Sequence, residues 1–246
     1  MARASLIFAI ACGATLLSAM SGGSSSLLTT PTWVALGVPL PVAIGTDKIA
    51  GTFWTLVGAR NYLRGRPVDW PLLAGMIGVG VLMAALGATV TTSLDPARLE
   101  RAVGAVMVVV VVGLALRPAF GAVETTPRLA RRSTVLLAAP LGFYEGLLGS
   151  GNSIATTLLL CFGRGFDLLR ALGHYYLMAA AWCAVAAASY AAQGAFELGL
   201  AVPATAGAVT GGYLGSRLGR RFGTRVVRGI FLLAGTILAT KLLVGW

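Results

Sequence analysis

The sequence predicts an all-α polytopic membrane protein of two inverted-topology repeats, each with two short broken or re-entrant helices followed by three longer transmembrane helices. Three observations carry that prediction: a composition suited to lipid, a glycine and serine break that recurs, and a loop-charge bias that changes sides between the halves. Of the 246 residues, 57% are hydrophobic and only 11% charged, where a soluble domain carries about a quarter charged. The mean hydropathy is +0.84. Windows such as 70–90, 102–116 and 230–244 match or approach the roughly twenty apolar residues that a spanning helix needs. A soluble helix would keep a polar face, but positions 106–112 hold only Val and Met.

The formal net charge of +11, from 19 basic and 8 acidic residues, would suggest nucleic acid as a partner of a soluble chain. Here the arginines form short clusters between apolar segments, as cytoplasmic loops do under the positive-inside rule, so no nucleic-acid partner is expected. Cys12, Cys161 and Cys183 lie inside apolar segments without metal-ligand spacing and read as small buried side chains. No metal site, cofactor site, phosphate loop or Ser/His/Asp arrangement is expected, and the chain is not read as an enzyme. Arg3 and the apolar run 6–20 read as a first membrane segment rather than a cleaved signal.

The repeat is visible in the sequence. Gly22 and the run Ser26-Leu27-Leu28-Thr29-Thr30 recur 127 positions later as Gly149 and Ser153-Ile154-Ala155-Thr156-Thr157; Asp47 then matches His174. With the offset one residue larger, Asp69 matches Glu197 and Gly87 matches Gly215. This divides the chain into a first membrane repeat at 1–116, a cytoplasmic linker at 117–132 and a second membrane repeat at 133–246. The expected short segments are 5–20, 25–38, 134–148 and 153–163. The longer ones are 44–60, 70–92, 99–116, 168–191, 198–216 and 226–243. Between the short segments lie Ser21-Gly22-Gly23-Ser24-Ser25 and Gly149-Ser150-Gly151-Asn152, residues that favour turns and helix starts. Pro39 and Pro41 are read as ending the second short segment.

Loop charge sets orientation. The loop after the first long segment carries Arg60, Arg64 and Arg66, whereas its counterpart at 193–199 has only Glu197. In the next loop the order reverses: Asp95, Arg98, Glu100 and Arg101 cancel, while the second half has Arg217, Arg220, Arg221, Arg225 and Arg228. With basic loops in the cytoplasm, the halves face opposite ways, the linker is inside and both termini are outside.

Irregular backbone at membrane depth survives only where protein buries it or water reaches it, which makes the two breaks candidate sites. New helices starting at Ser24-Ser25-Ser26 and at Asn152-Ser153 would offer free N–H groups and a positive dipole end to an anion. Gly22, Gly23, Gly149 and Gly151 would let the backbone approach it. Intramembrane ionisable residues are costly and are therefore functional candidates. Lys48, with Thr46 and Tyr175, is read as part of an anion-binding set; Asp47, Glu145 and His174 are candidates for proton coupling. The five tryptophans are read as interfacial anchors or packing groups.

The Ser21-Gly22-Gly23 break, the Ala43-Ile44-Gly45-Thr46 stretch, the Gly149-Ser150-Gly151-Asn152-Ser153 break and the run from Gly211-Gly212 to Arg221 resemble the sulfite exporter TauE/SafE family of membrane permeases. The resemblance covers nearly the whole length. It departs from the family pattern in placing Ser24-Ser25-Ser26 after only two glycines. The chain is then expected to be a multi-pass protein of the cell inner membrane, a secondary transporter working by alternating access around a site between the halves. The implied cargo is sulfite, an organosulfonate or a related organic acid anion, with the bilayer and protons as further partners. A passive anion channel and an intramembrane enzyme are the alternative readings.

Overall fold

The computed structural model describes residues 2–91 and 123–244; the expected segment at 99–116, the start of the linker at 117–122 and Trp246 lie outside them. Every regular element among the described residues is a helix: α1 (Ala2–Ser21), α2 (Ser26–Ala35), α3 (Leu40–Leu63), α4 (Trp70–Val90), α5 (Arg131–Leu136), α6 (Ala138–Leu147), α7 (Asn152–Arg164), α8 (Leu168–Ala192) and α9 (Leu198–Val244). By length and composition, α1, α4 and α8 contain stretches able to cross a membrane.

Local chemistry explains three of the helix starts. The Asp69 carboxylate accepts a hydrogen bond from Leu72 N at 3.1 Å and starts α4; the Asp167 carboxylate accepts from Leu169 N at 2.9 Å and Arg170 N at 3.1 Å and starts α8. Both act as N-caps. Pro39 and Pro41 depart from expectation: they begin α3 rather than end α2. A proline in the first turn forfeits no helical hydrogen bond, and α2 has already stopped at Ala35. Consequently Asp47 and Lys48 stand two turns inside α3 and not at its start. The expected segment 134–148 is divided into α5 and α6 at Leu137, and α9 is interrupted at Gly223, where φ is 77°, between the two expected segments.

At the centre α3 and α8 cross antiparallel, with Gly45 against Tyr190, Gly51 against Cys183, Gly58 against Tyr176 and Gly173 against Leu63. Of the apolar stretch in α8, 72% is buried, against 33% in α1 and in α4; α8 is therefore a core helix and the other two are peripheral. On one flank α4 runs parallel to α6, Gly80 meeting Gly142 and Ala84 meeting Gly146. On the other flank α1 runs parallel to α9. There Gly207, Gly211, Gly215 and Gly219 face the backbone of Phe8, Cys12, Leu16 and Met20. A glycine every fourth residue keeps one helix face bare, and close backbone approach is how helices associate in lipid.

One end of the molecule gathers the basic loops. Arg66 pairs with Asp167, Arg131 and Arg164 with Asp69 at 3.7 Å each, and Arg170 with Glu124 at 3.0 Å. Linker residues reach the α7 end through Thr125 N to Gly165 O at 2.8 Å and Leu129 N to Gly163 O at 2.9 Å. Asn61, near the end of α3, bonds to Ser216 of α9 at 2.8 Å, which brings the α9 arginine stretch to the same end.

Candidate functional site

The two expected breaks are present, and they touch. Gly22 and Gly149, 127 positions apart, both have φ of 73°, a conformation that glycine adopts at little steric cost. In each break an N–H reaches back five residues: Gly23 N to Ser18 O at 2.9 Å and Gly149 N to Tyr144 O at 2.9 Å. Such bonds satisfy carbonyls that a terminating helix leaves over. Between the breaks, the Ser26 and Ser150 hydroxyls lie 3.2 Å apart and the Ser24 hydroxyl donates to Gly149 O at 3.4 Å.

Beside this contact is a pocket of about 350 Å³, its open side included. Its walls are the start of α2 (Ser24, Ser25, Ser26), one face of α3 (Asp47, Lys48, Gly51, Trp54, Thr55), and Glu145 with Tyr175, Ala179 and Cys183 of α8. Helical periodicity selects these positions: 175, 179 and 183 are spaced by four, as are 47, 51 and 55.

Lys48 and Glu145 form the charged centre. Lys48 Nζ is 2.8 Å from Glu145 Oε1, and both side chains are 4% exposed. Three further groups donate to the same carboxylate: Asn152 Nδ2 to Oε2 at 2.7 Å, Tyr175 Oη to Oε2 at 3.3 Å and Cys183 Sγ to Oε1 at 3.4 Å. A buried ion pair survives desolvation better when its remaining polar atoms have partners, and here each carboxylate oxygen of Glu145 has two donors. Gly149 makes the room, since a Cβ at that position would overlap Lys48 Nζ and Glu145 Oε1. Asp47, next to the pair, accepts from the Thr30 hydroxyl and from Trp33 Nε1 at 3.1 Å.

The remaining candidates fall elsewhere. Gly22, Gly23 and Gly151 shape the breaks but do not form the pocket wall. Asn152 acts from behind it, through Glu145. Thr46 and Ser153 are fully buried and their hydroxyls have no partner among the described residues; neither lines the pocket. His174 departs most from expectation. Its Nε2 accepts from Asp69 N at 3.0 Å and its Nδ1 is 2.8 Å from Arg170 O, so both ring nitrogens serve the basic end of the molecule. One step along α8 turns a side chain by about 100°, which is why Tyr175 lines the pocket and His174 does not. Thr157 matches Thr30 in the repeat, but its hydroxyl has no partner among the described residues where Thr30 has Asp47.

Gly51, Trp54, Thr55, Ala179 and Cys183 were not anticipated as wall residues. Counting three, four, seven or eight positions on from Lys48 and Tyr175 would have found four of them. Trp54 is 4% exposed and stacks edge-on against Tyr176 at 5.0 Å, so it serves both packing and pocket.

Two broken helices meeting at a polar pocket with a buried ion pair, in a chain of this apolarity whose described residues form only helices, define a membrane transporter. The chain belongs to the sulfite exporter TauE/SafE family, whose model matches residues 7–242. It is 28% identical over 178 residues to a "Probable membrane transporter protein" of Haemophilus influenzae, covering 70% of this chain and 68% of that one. It is 26% identical over 153 residues to "Probable membrane transporter protein ORF9" of a Sinorhizobium species, covering 62% of this chain and 59% of that one. No solved structure matches it.

Proposed function

We propose that this protein is a multi-pass inner-membrane carrier that moves a small anion, sulfite or an organosulfonate, by alternating access around the pocket between its breaks. The observation that carries this reading is the buried Lys48, held at 4% side-chain exposure in a wall shared with the start of α2. A cation with helix-start N–H groups beside it suits an anion. The family supplies the sulfur-containing cargo.

Inverted repeats fit the packing. α3 and α8 match in the repeat and run antiparallel, as an in-plane two-fold axis requires of equivalent helices. Gly87 and Gly215, 128 positions apart, abut Phe143 and Leu16, themselves 127 apart. The shared end of the basic loops fits a cytoplasmic face with both termini outside. Flux of sulfite into proteoliposomes, with and without an imposed proton gradient, tests the proposal. Gradient-driven accumulation supports a coupled carrier, passive equilibration a channel, and no flux above protein-free vesicles removes the transport reading for this cargo.

A further inference from the structure

Four donors converge on one carboxylate, and they are evenly shared. Glu145 Oε1 receives Lys48 Nζ at 2.8 Å and Cys183 Sγ at 3.4 Å; Oε2 receives Asn152 Nδ2 at 2.7 Å and Tyr175 Oη at 3.3 Å. They come from α3, α7 and α8, and thus from both halves of the chain. Lys48 and Tyr175 are also repeat equivalents, 127 positions apart.

We propose that this ring of donors is the substrate's own seat and that the Glu145 carboxylate is a tethered stand-in, which the transported anion displaces. The inference rests on the carrier reading above and names the ligand chemistry of that site. The seat is built for two oxygens on one central atom, each taking two donors, which is the geometry of a carboxylate edge and equally of one edge of a sulfite or sulfonate group. A monatomic anion offers these donors one acceptor position where the carboxylate offers two, and fits them less well. Serine hydroxyls 24 to 26, Thr55 and the Trp54 face border the same space and take the rest of the ligand. A ligand that must displace a resident group binds with an apparent Kd equal to the intrinsic one divided by the fraction of molecules whose seat is free. With Glu145 seated in nine molecules of ten, removal of its carboxylate tightens binding about tenfold.

The test is equilibrium binding to the detergent-purified full chain, using sodium sulfite, methanesulfonate, acetate and chloride, in wild type, Glu145→Ala, Glu145→Gln and Lys48→Met/Glu145→Ala. Glu145→Ala is expected to bind at least one oxyanion about tenfold tighter than wild type, without a gain for chloride. The double variant is expected to lose that gain. Acetate preferred over the sulfur anions would assign the seat to carboxylates; the reverse would assign it to sulfur oxyanions. Should Glu145→Ala fail to elute as a folded species, Glu145→Gln is read in its place, because it also removes the competing charge. Oxyanion binding unchanged or weaker in the folded single variant, or an equal gain for chloride, overturns the proposal. Wild-type flux with no gain in the variants would sink the stand-in and leave the carrier; wild type lacking flux would remove the carrier reading itself.

Discussion

Tyr62 and Tyr190 make the same hydrogen bond in the two halves of the chain. Tyr62 Oη donates to Ala19 O at 2.7 Å and Tyr190 Oη donates to Gly146 O at 3.2 Å, each carbonyl lying in the last turn of the helix that stops at a break. The tyrosines are 128 positions apart and the carbonyls 127. Terminal carbonyls lack intrahelical partners, and lipid offers none.

Tyr62→Phe and Tyr190→Phe are therefore expected to lower stability, each by about 0.6–2 kcal/mol, between the mean for hydrogen bonds in membrane proteins and the cost of a buried unsatisfied carbonyl. Tyr190→Phe should cost more, because that hydroxyl also reaches Leu147 O at 3.0 Å and Thr91 Oγ1 at 2.8 Å. Thermal unfolding in detergent measures both. Melting temperatures equal to wild type would mean that the carbonyls are satisfied without the tyrosines.

Gly149 and Gly37 separate backbone strain from crowding at the site. Both have positive φ, 73° and 85°, so alanine at either position costs about 1–2 kcal/mol of left-handed strain. At Gly37 the added methyl meets nothing within 4 Å, whereas at Gly149 it runs into the Lys48–Glu145 pair. Gly37→Ala is expected to transport near the wild-type rate and Gly149→Ala to lose most activity while still reaching the membrane. Equal flux from the two variants in proteoliposomes would remove the pair from the transport path.

Coupling divides the three ionisable candidates. If protons move with the anion, a group in the pocket changes protonation during the cycle, and Asp47 and Glu145 stand there while His174 does not. Asp47→Asn or Glu145→Gln should abolish proton-driven accumulation yet leave anion exchange, and His174→Gln should keep accumulation. Paired measurements of gradient-driven uptake and exchange check this. Loss of accumulation in His174→Gln alone would transfer coupling to the basic end of the molecule.

Topology is open to labelling. In a background lacking Cys12, Cys161 and Cys183, a cysteine at Val123, which is 66% exposed, is expected to resist an impermeant thiol reagent added to intact cells, and one at Ala4 to react. Reaction at 123 from outside would reverse the assignment.

The sequence revealed the breaks because chemistry there is local: Gly22, Gly149 and Gly151 sit where φ is positive, and hydroxyl or amide residues follow. It also revealed Lys48 and Glu145 individually, because charge inside apolar segments is conspicuous. Their pairing was hidden, since the residues are 97 positions apart and only the crossing of helices from the two halves joins them. The place of His174 was hidden for a related reason: the repeat matches it to Asp47 in sequence, but the nearby Asp69 and Arg170 backbone groups bond to its ring, away from the pocket. Pro39 and Pro41 carried opposite meanings depending on whether a helix ended before them or began at them, and the Leu36-Gly37 turn decided that.

The most direct test of the carrier account is counterflow. Proteoliposomes holding the wild-type protein are loaded with unlabelled sulfite, diluted into a trace of radiolabelled sulfite, and followed with the membrane potential clamped at zero. An alternating-access carrier is expected to give a transient overshoot of internal label well above equilibrium, absent from vesicles containing Lys48→Met. Label rising only to equilibrium, without overshoot and at the same rate whether or not the vesicles are preloaded, would contradict the account.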